Sequence, residues 1–181
     1  MTATAEVAHD EPVWHKIVIR FATQVIRAYL SSHTYGTIQE LSHSISQGPP
    51  KTLQIRRHGS DQIEEINVED AKAVFHVNSF DGDRRRRDLR FHTHAPIIHG
   101  IWMRLEFYDG EVMEGITQNT IHYIVNPGIL LYPTDPGSNN QLAYVMKRHL
   151  KDVQILGLRT PPSAEDGRAV PFVHLCKPRT A

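Results

Sequence analysis

The chain has 181 residues, with lysine plus arginine balanced against aspartate plus glutamate at 20 each, and one cysteine. Balanced charge removes any long-range field that would draw the whole molecule to nucleic acid or anionic lipid, so an anion site has to be local. The lone Cys176 excludes an internal disulfide and a cysteine-built zinc ribbon.

Residues 1–12 are acidic and rich in small side chains, and they read as a disordered leader without the basic-then-apolar pattern of a signal peptide. No apolar run reaches bilayer-spanning length, so a cytoplasmic protein without membrane contact is expected. From Trp14 to Leu30, Ile17, Ile19, Phe21 and Val25 mark two strands joined by a tight turn at Ala22-Thr23. Between Ser32 and Pro50 the period changes. Ile38, Leu41 and Ile45 share a helical face, Thr37-x-x-Glu40 matches a capping box, and Gly48-Pro49-Pro50 stops the helix. Leu53 to Arg57, Gln62 to Val68 and Ala71 to Val77 are predicted strands that complete a first unit over residues 13–80. An Arg/His-rich linker, 81–97, leads to a second unit over 98–157. There Asp109-Gly110 forms a hairpin turn that tolerates positive φ at both positions. Gly128 to Tyr132, Gln141 to Met146 and Leu150 to Leu156 follow as strands, with Pro133 to Asn140 a turn-forming loop. Residues 158–181 read as a flexible tail, in which Phe172-Val173-His174-Leu175 is suited to dock on a neighbour.

The two units say one thing twice. Ile17-Val18-Ile19-Arg20-Phe21 and Gln24-Val25-Ile26-Arg27-Ala28-Tyr29 recur as Met103-Arg104-Leu105-Glu106-Phe107 and Glu111-Val112-Met113-Glu114-Gly115-Ile116. Leu53-Gln54-Ile55 and Val68 to Val74 recur as Ile129-Leu130-Leu131 and Lys147 to Val153. Five short strands per copy, with tight turns and no crossover helix, predict a mainly β protein. The expected architecture is two tandem small antiparallel barrels of the SH3 or Sm-like kind, with one short helix inserted in the first. Units of about 60 residues bury little core alone, so the copies are expected to pack on each other or on a second chain. Ile19, Phe21, Val25, Leu105, Phe107, Val112, Leu131 and Val153 are the expected core.

Phe107-x-Asp109-Gly110-Glu111-x-x-x-Gly115, the run Leu130 to Asn140 and Lys151-Asp152-Val153 resemble an uncharacterised bacterial domain family related to PilZ-like and Sm-like small barrels. Lys72-Ala73-Val74-Phe75 and Phe80-Asp81-Gly82 extend the resemblance to the first copy. The first copy departs from the pattern by lacking the Asp-Gly hairpin and by carrying the insertion. The resemblance implies a β-barrel module, sometimes associated with signalling, and no catalytic residues or cofactor.

Arg84, Arg85, Arg86, Arg87 and Arg90 are the densest charge in the chain, and paired guanidinium donors suit phosphate. Arg86-x-x-x-Arg90 resembles the arginine signature ahead of a PilZ barrel, which implies a nucleotide such as cyclic di-GMP. The Asp/Asn-x-Ser-x-x-Gly partner motif has no match after Arg90, and a solvated linker explains the run as well. His92, His94 and His99 are weak metal candidates; on a strand 92 and 94 share a side, but no third ligand converges in sequence. Asp135, Asn139 and Asn140 offer oxygens without calcium-loop spacing, and turn chemistry accounts for them. Thr117-Gln118-Asn119 and Lys147-Arg148 stand where Sm-like proteins hold RNA, without the arginine-glycine pair. The reading favoured is a non-enzymatic regulatory or scaffolding module acting through protein partners or self-association. The alternatives are a nucleotide receptor built on Arg84 to Arg90 and an RNA-binding module, with nucleic acid the less expected partner.

Overall fold

A computed structural model describes residues 13–36, 40, 43–45, 50–82, 100–135 and 137–159. In chain order they form β1 (Trp14–Arg20), β2 (Val25–Ser31), a helical turn α1 (Ser32–Tyr35), β3 (Thr52–Arg57), β4 (Ile63–Asn67) and β5 (Ala73–Val77). There follow β6 (Gly100–Phe107), β7 (Val112–Gln118), α2 (His122–Val125), β8 (Gly128–Pro133), β9 (Asn140–Met146), a 3-10 turn at Lys147–His149, and β10 (Leu150–Arg159). Residues 40 and 43–45 of the insertion are helical, and Ile45 is buried against the first core. Thr37, Ile38 and Leu41 lie outside the described residues. The short turns α1 and α2 carry no periodic signal that would announce them in the sequence. Ser31 caps α1 by accepting from the His33 N–H.

The chain is mainly β, but the expected pair of closed barrels is replaced by one open, antiparallel, ten-stranded sheet in the order β10-β6-β7-β8-β9-β5-β1-β2-β3-β4. Each half has the same order: fifth strand, first, second, third, fourth. The registers repeat too. Ile17 faces Ala28 as Met103 faces Gly115, and Ile19 faces Ile26 and Val74 as Leu105 faces Met113 and Val153. Leu53 faces Ile66 as Ile129 faces Val145. The fifth strand that would close the first unit against β4 instead pairs with β9, the fourth strand of the second unit. That substitution joins the halves and leaves the sheet open.

Two cores result, one on each face of the junction. Val74, Leu142, Tyr144 and Met146 point into the first, with Ile17, Ile19, Ile26, Leu30, Leu53 and Ile55. Ala73, Phe75, Val77, Ala143 and Val145 point into the second, with Met103, Leu105, Phe107, Ile129 and Leu131. Alternation along β5 and β9 thus feeds both cores at once.

Ile19, Leu105, Phe107 and Leu131 are buried as expected, whereas Phe21 and Val112 are half-buried and Val25 and Val153 are exposed. The hairpin registers explain Val25 and Val112. Ile26 and Met113, not their neighbours, stand opposite Ile19 and Leu105, and a one-residue slip sends a side chain to the other face. The second hairpin also differs in its turn. The Phe107 N–H donates to the Glu111 carbonyl across a three-residue loop, and within it Gly110 alone has positive φ, 82°. The first hairpin closes over two residues, through the Phe21 N–H and the Gln24 carbonyl.

Phe107 is among the largest fully buried side chains. Truncation to alanine removes its contacts and leaves a cavity, so Phe107→Ala is expected to lose about 3–5 kcal/mol in urea denaturation. Unchanged stability would refute the register of β6.

Candidate functional site

The junction between the halves concentrates the polar chemistry of the described residues. Lys72, just before β5, has a side chain only 8% exposed, and its Nζ donates to Asp109 Oδ2 at 2.6 Å and to Glu111 Oε2 at 2.5 Å. The same ammonium sits 4.1 Å from the centroid of the Phe107 ring. Arg20 at the end of β1 donates to Glu111 Oε1 at 2.7 Å. Two cations of the first half therefore hold the β6–β7 hairpin of the second. The Lys72 hydrogen bond, aided by the Glu111 backbone N–H, lowers the Asp109 carboxyl below its ordinary range. Lys151, which the register makes the counterpart of Lys72, is exposed and pairs with Glu106 of its own half at 2.7 Å. That hydrogen bond raises its pKa.

On the first-core side of the junction, His76 and Tyr144 line an apolar pocket of about 350 Å³, counted with its open mouth, among Leu30, Ile45, Leu53 and Met146. His76 Nδ1 and the Tyr144 hydroxyl are buried without a hydrogen-bond partner among the described residues. Burial, with a smaller push from His15, lowers the imidazole to about 4, so it is neutral near pH 7. Burial raises the Tyr144 phenol to about 12, and the nearby Gly128 backbone tempers the shift without meeting hydrogen-bond geometry. Tyr144 packs directly on Gly128, where a Cβ would come within 2.5 Å of the ring. A second depression, floored by Tyr144 and Leu130, is rimmed by Thr117, Gln118, His122 and Asn126.

Of the residues singled out in the sequence, Arg84, Arg85, Arg86, Arg87, Arg90, His92, His94 and His99 lie outside the described residues, as does Cys176. Among the described residues no three His, Cys, Asp or Glu side chains converge as a metal site would require. Asp135 Oδ1 accepts from the Gly137 N–H at 2.8 Å, and Asn139 bonds both backbone groups of Ser79, which ties the loop after β8 to the segment after β5. Lys147 Nζ donates to the Ile124 carbonyl at 2.7 Å and Arg148 to Asp70 at 2.9 Å, so both basic side chains after β9 have intramolecular partners. Sequence reasoning also misses an aromatic cluster. Arg56 lies 4.0 Å from the Trp14 ring centroid and 5.1 Å from that of Tyr29, and Tyr29, His58 and Phe80 meet edge to face or tilted. Its members come from β1, β2, β3 and two loops, so no local motif announces it.

The ends of the sheet are chemically distinct from the junction. Beyond its single paired neighbour, neither β4 nor β10 is paired with another described strand. Ile63 on β4 is 67% exposed; Val153 and Ile155 on β10 are 41% and 36% exposed. Glu64, Glu65, Lys151, Asp152 and Gln154 intersperse charge and polarity among them. Such polarity discourages indiscriminate edge pairing while leaving backbone groups available to a matched strand.

A family of unknown function, DUF6982, matches over residues 13–157, and the chain belongs to that family. No curated protein matches. No solved structure matches. Among the described residues no helix is long and apolar enough to cross a membrane.

His76 gives the site a measurable acid sensitivity. Between its ordinary 6.5 and the folded value of about 4, the unfolded chain holds the proton and the folded chain does not. Stability therefore falls as pH drops through that window, by about 3 kcal/mol in all for this one group. Denaturation of wild type and His76→Leu at pH 7.5 and pH 4 should show a steeper acid loss in wild type; parallel losses would mean that the imidazole is not held neutral in the fold.

Proposed function

We propose that this member of the family is a non-enzymatic scaffolding or regulatory module that holds protein partners by strand addition at the ends of its sheet. The observation that carries this reading is the open sheet itself, whose terminal strands β4 and β10 present exposed isoleucine and valine beside backbone groups that no other described strand pairs. Main-chain hydrogen bonds would supply affinity, and the alternating side chains would supply selectivity. The polar residues on both edges favour matched partners over general aggregation.

Selection of random extended peptides on the immobilised protein tests the reading. Alternating apolar peptides should be recovered, and their binding should weaken about tenfold or more in Ile63→Glu or Ile155→Glu. Peptides insensitive to both substitutions would place recognition elsewhere and overturn it.

The receptor alternative rests on Arg84, Arg85, Arg86, Arg87 and Arg90 as a sequence feature. It requires cyclic di-GMP to bind in calorimetry and to be lost in Arg86→Ala/Arg90→Ala; no heat with wild type removes it.

A further inference from the structure

We infer that the partner strand is supplied by a second copy of this chain, β10 of one molecule pairing antiparallel with β4 of the next. The inference rests on the strand-addition reading above and specifies its occupant. The internal junction is the precedent, because it already pairs the fifth strand of one unit with the fourth strand of another. The two halves share strand order and register, so β10 is the counterpart of β5 and β4 the counterpart of β9. Every chain thus carries, at its two ends, the two surfaces that meet in its middle.

The register of the junction transfers residue by residue. Ala73 faces Val145, Val74 faces Tyr144, Phe75 faces Ala143 and His76 faces Leu142. Through the shared pairing within each half, these become Asp152 opposite Ile66, Val153 opposite Glu65, Gln154 opposite Glu64 and Ile155 opposite Ile63. The most exposed isoleucine of β4 then stands directly across from the exposed isoleucine of β10.

Burial gives an independent reason for the match. In the first half, Val74 and His76 are 7% and 3% exposed because Leu142, Tyr144 and Met146 from the neighbouring unit close the core over them. Their counterparts Val153 and Ile155 are several times more exposed because no described residue closes the second core at that side. Ile63, Glu65 and Asn67 are the counterparts of Leu142, Tyr144 and Met146 and lie on the outward side of β4. A second copy brings them over Val153 and Ile155.

The contact is heterologous, the surface on one molecule differing from the surface on its mate, so it generates rings or open chains. It is also weaker than the internal junction. Lys151 would meet the short β1–β2 hairpin of the next molecule, where Ala22, Thr23 and Gln24 replace the Asp109 and Glu111 that hold Lys72.

The test uses the full chain with Cys176→Ser and follows mass by analytical ultracentrifugation over a concentration series. Wild type should exceed monomer mass reversibly. Ile63→Glu and Ile155→Glu, each verified as folded by circular dichroism, should each stay monomeric. An equal mixture of the two should form a dimer, since one retains β10 and the other β4. As a check with a gentler change, Ile63→Cys and Ile155→Cys should crosslink on oxidation when mixed and not when alone. Monomeric wild type, a mixture that stays monomeric, or association of either glutamate variant alone overturns the inference. If wild type is monomeric yet binds selected peptides through Ile63 and Ile155, self-pairing fails while strand addition stands. Self-association unaffected by either substitution sinks self-pairing, and selected peptides insensitive to both sink strand addition as well.

Discussion

The antiparallel pairing of β5 with β9 is the contact on which the rest of the structure depends. All five residues of β5 are buried, and those of opposite parity serve opposite cores. Without β9, β5 would expose apolar side chains on both faces, and the first core would lose Leu142, Tyr144 and Met146 at once. Units of this size bury little surface and are marginal alone. Sharing one pair of strands between two cores raises the burial each unit achieves without lengthening either. The same pairing occupies the edge that a closed barrel would need, so coupling of the halves and openness of the sheet have one cause.

The polar groups around this contact specify it more than they strengthen it. Lys72 has lost most of its water and regains interaction from two carboxylates and an aromatic face. Desolvation of an ammonium offsets much of that gain. What the cluster does fix is position, since Arg20 and Lys72 accept only a hairpin that brings acids to the end of β1 and the start of β5. His76 works in the opposite sense. An imidazole held neutral, with a nitrogen that no described residue partners, is tolerable near neutrality and costs stability in acid, which makes the first-core side of the junction acid-sensitive.

The existence of the strands, their succession along the chain and the repeat are legible in the sequence because they rest on local alternation and tight turns. Side-chain direction is less so. Val25 and Val112 fall one residue away from the inward position in the same way in both copies, since the closing pairs of the hairpins, Phe21 with Gln24 and Phe107 with Glu111, decide which neighbour turns inward. Openness of the sheet is not legible, because β5 could pair with β4 or with β9 and no local signal separates two long-range choices. One clue lies in the contrast between the fifth strands. Ala73-Val74-Phe75-His76-Val77 is nearly unbroken in apolarity, as a strand buried on both faces tends to be, whereas Asp152-Val153-Gln154-Ile155 alternates like a strand with one wet face. The cluster of Lys72, Asp109 and Glu111 escapes for a related reason, as its members are brought together only by the β5–β9 contact.

That contrast also explains how one pair of edges became permanent while the other stayed polar. At the four regularly paired positions of the junction, before the irregularity that sets Val77 against Asn140, the facing residues are alanine, valine, phenylalanine, histidine, leucine and tyrosine; at the outer edges the counterparts include Asp152, Gln154, Glu64 and Glu65. Joining two units in one chain holds the inner edges at high effective concentration, so apolar residues there meet their intended mate before they meet a stranger. Among the described residues no such mate is paired with the outer edges. An equally apolar β4 or β10 would recruit any exposed strand, and charge interspersed with Ile63, Val153 and Ile155 restrains that tendency without removing the backbone groups. On a strand framework that is otherwise the same in both halves, the chain thus separates a dry, internally paired edge from a polar outer one.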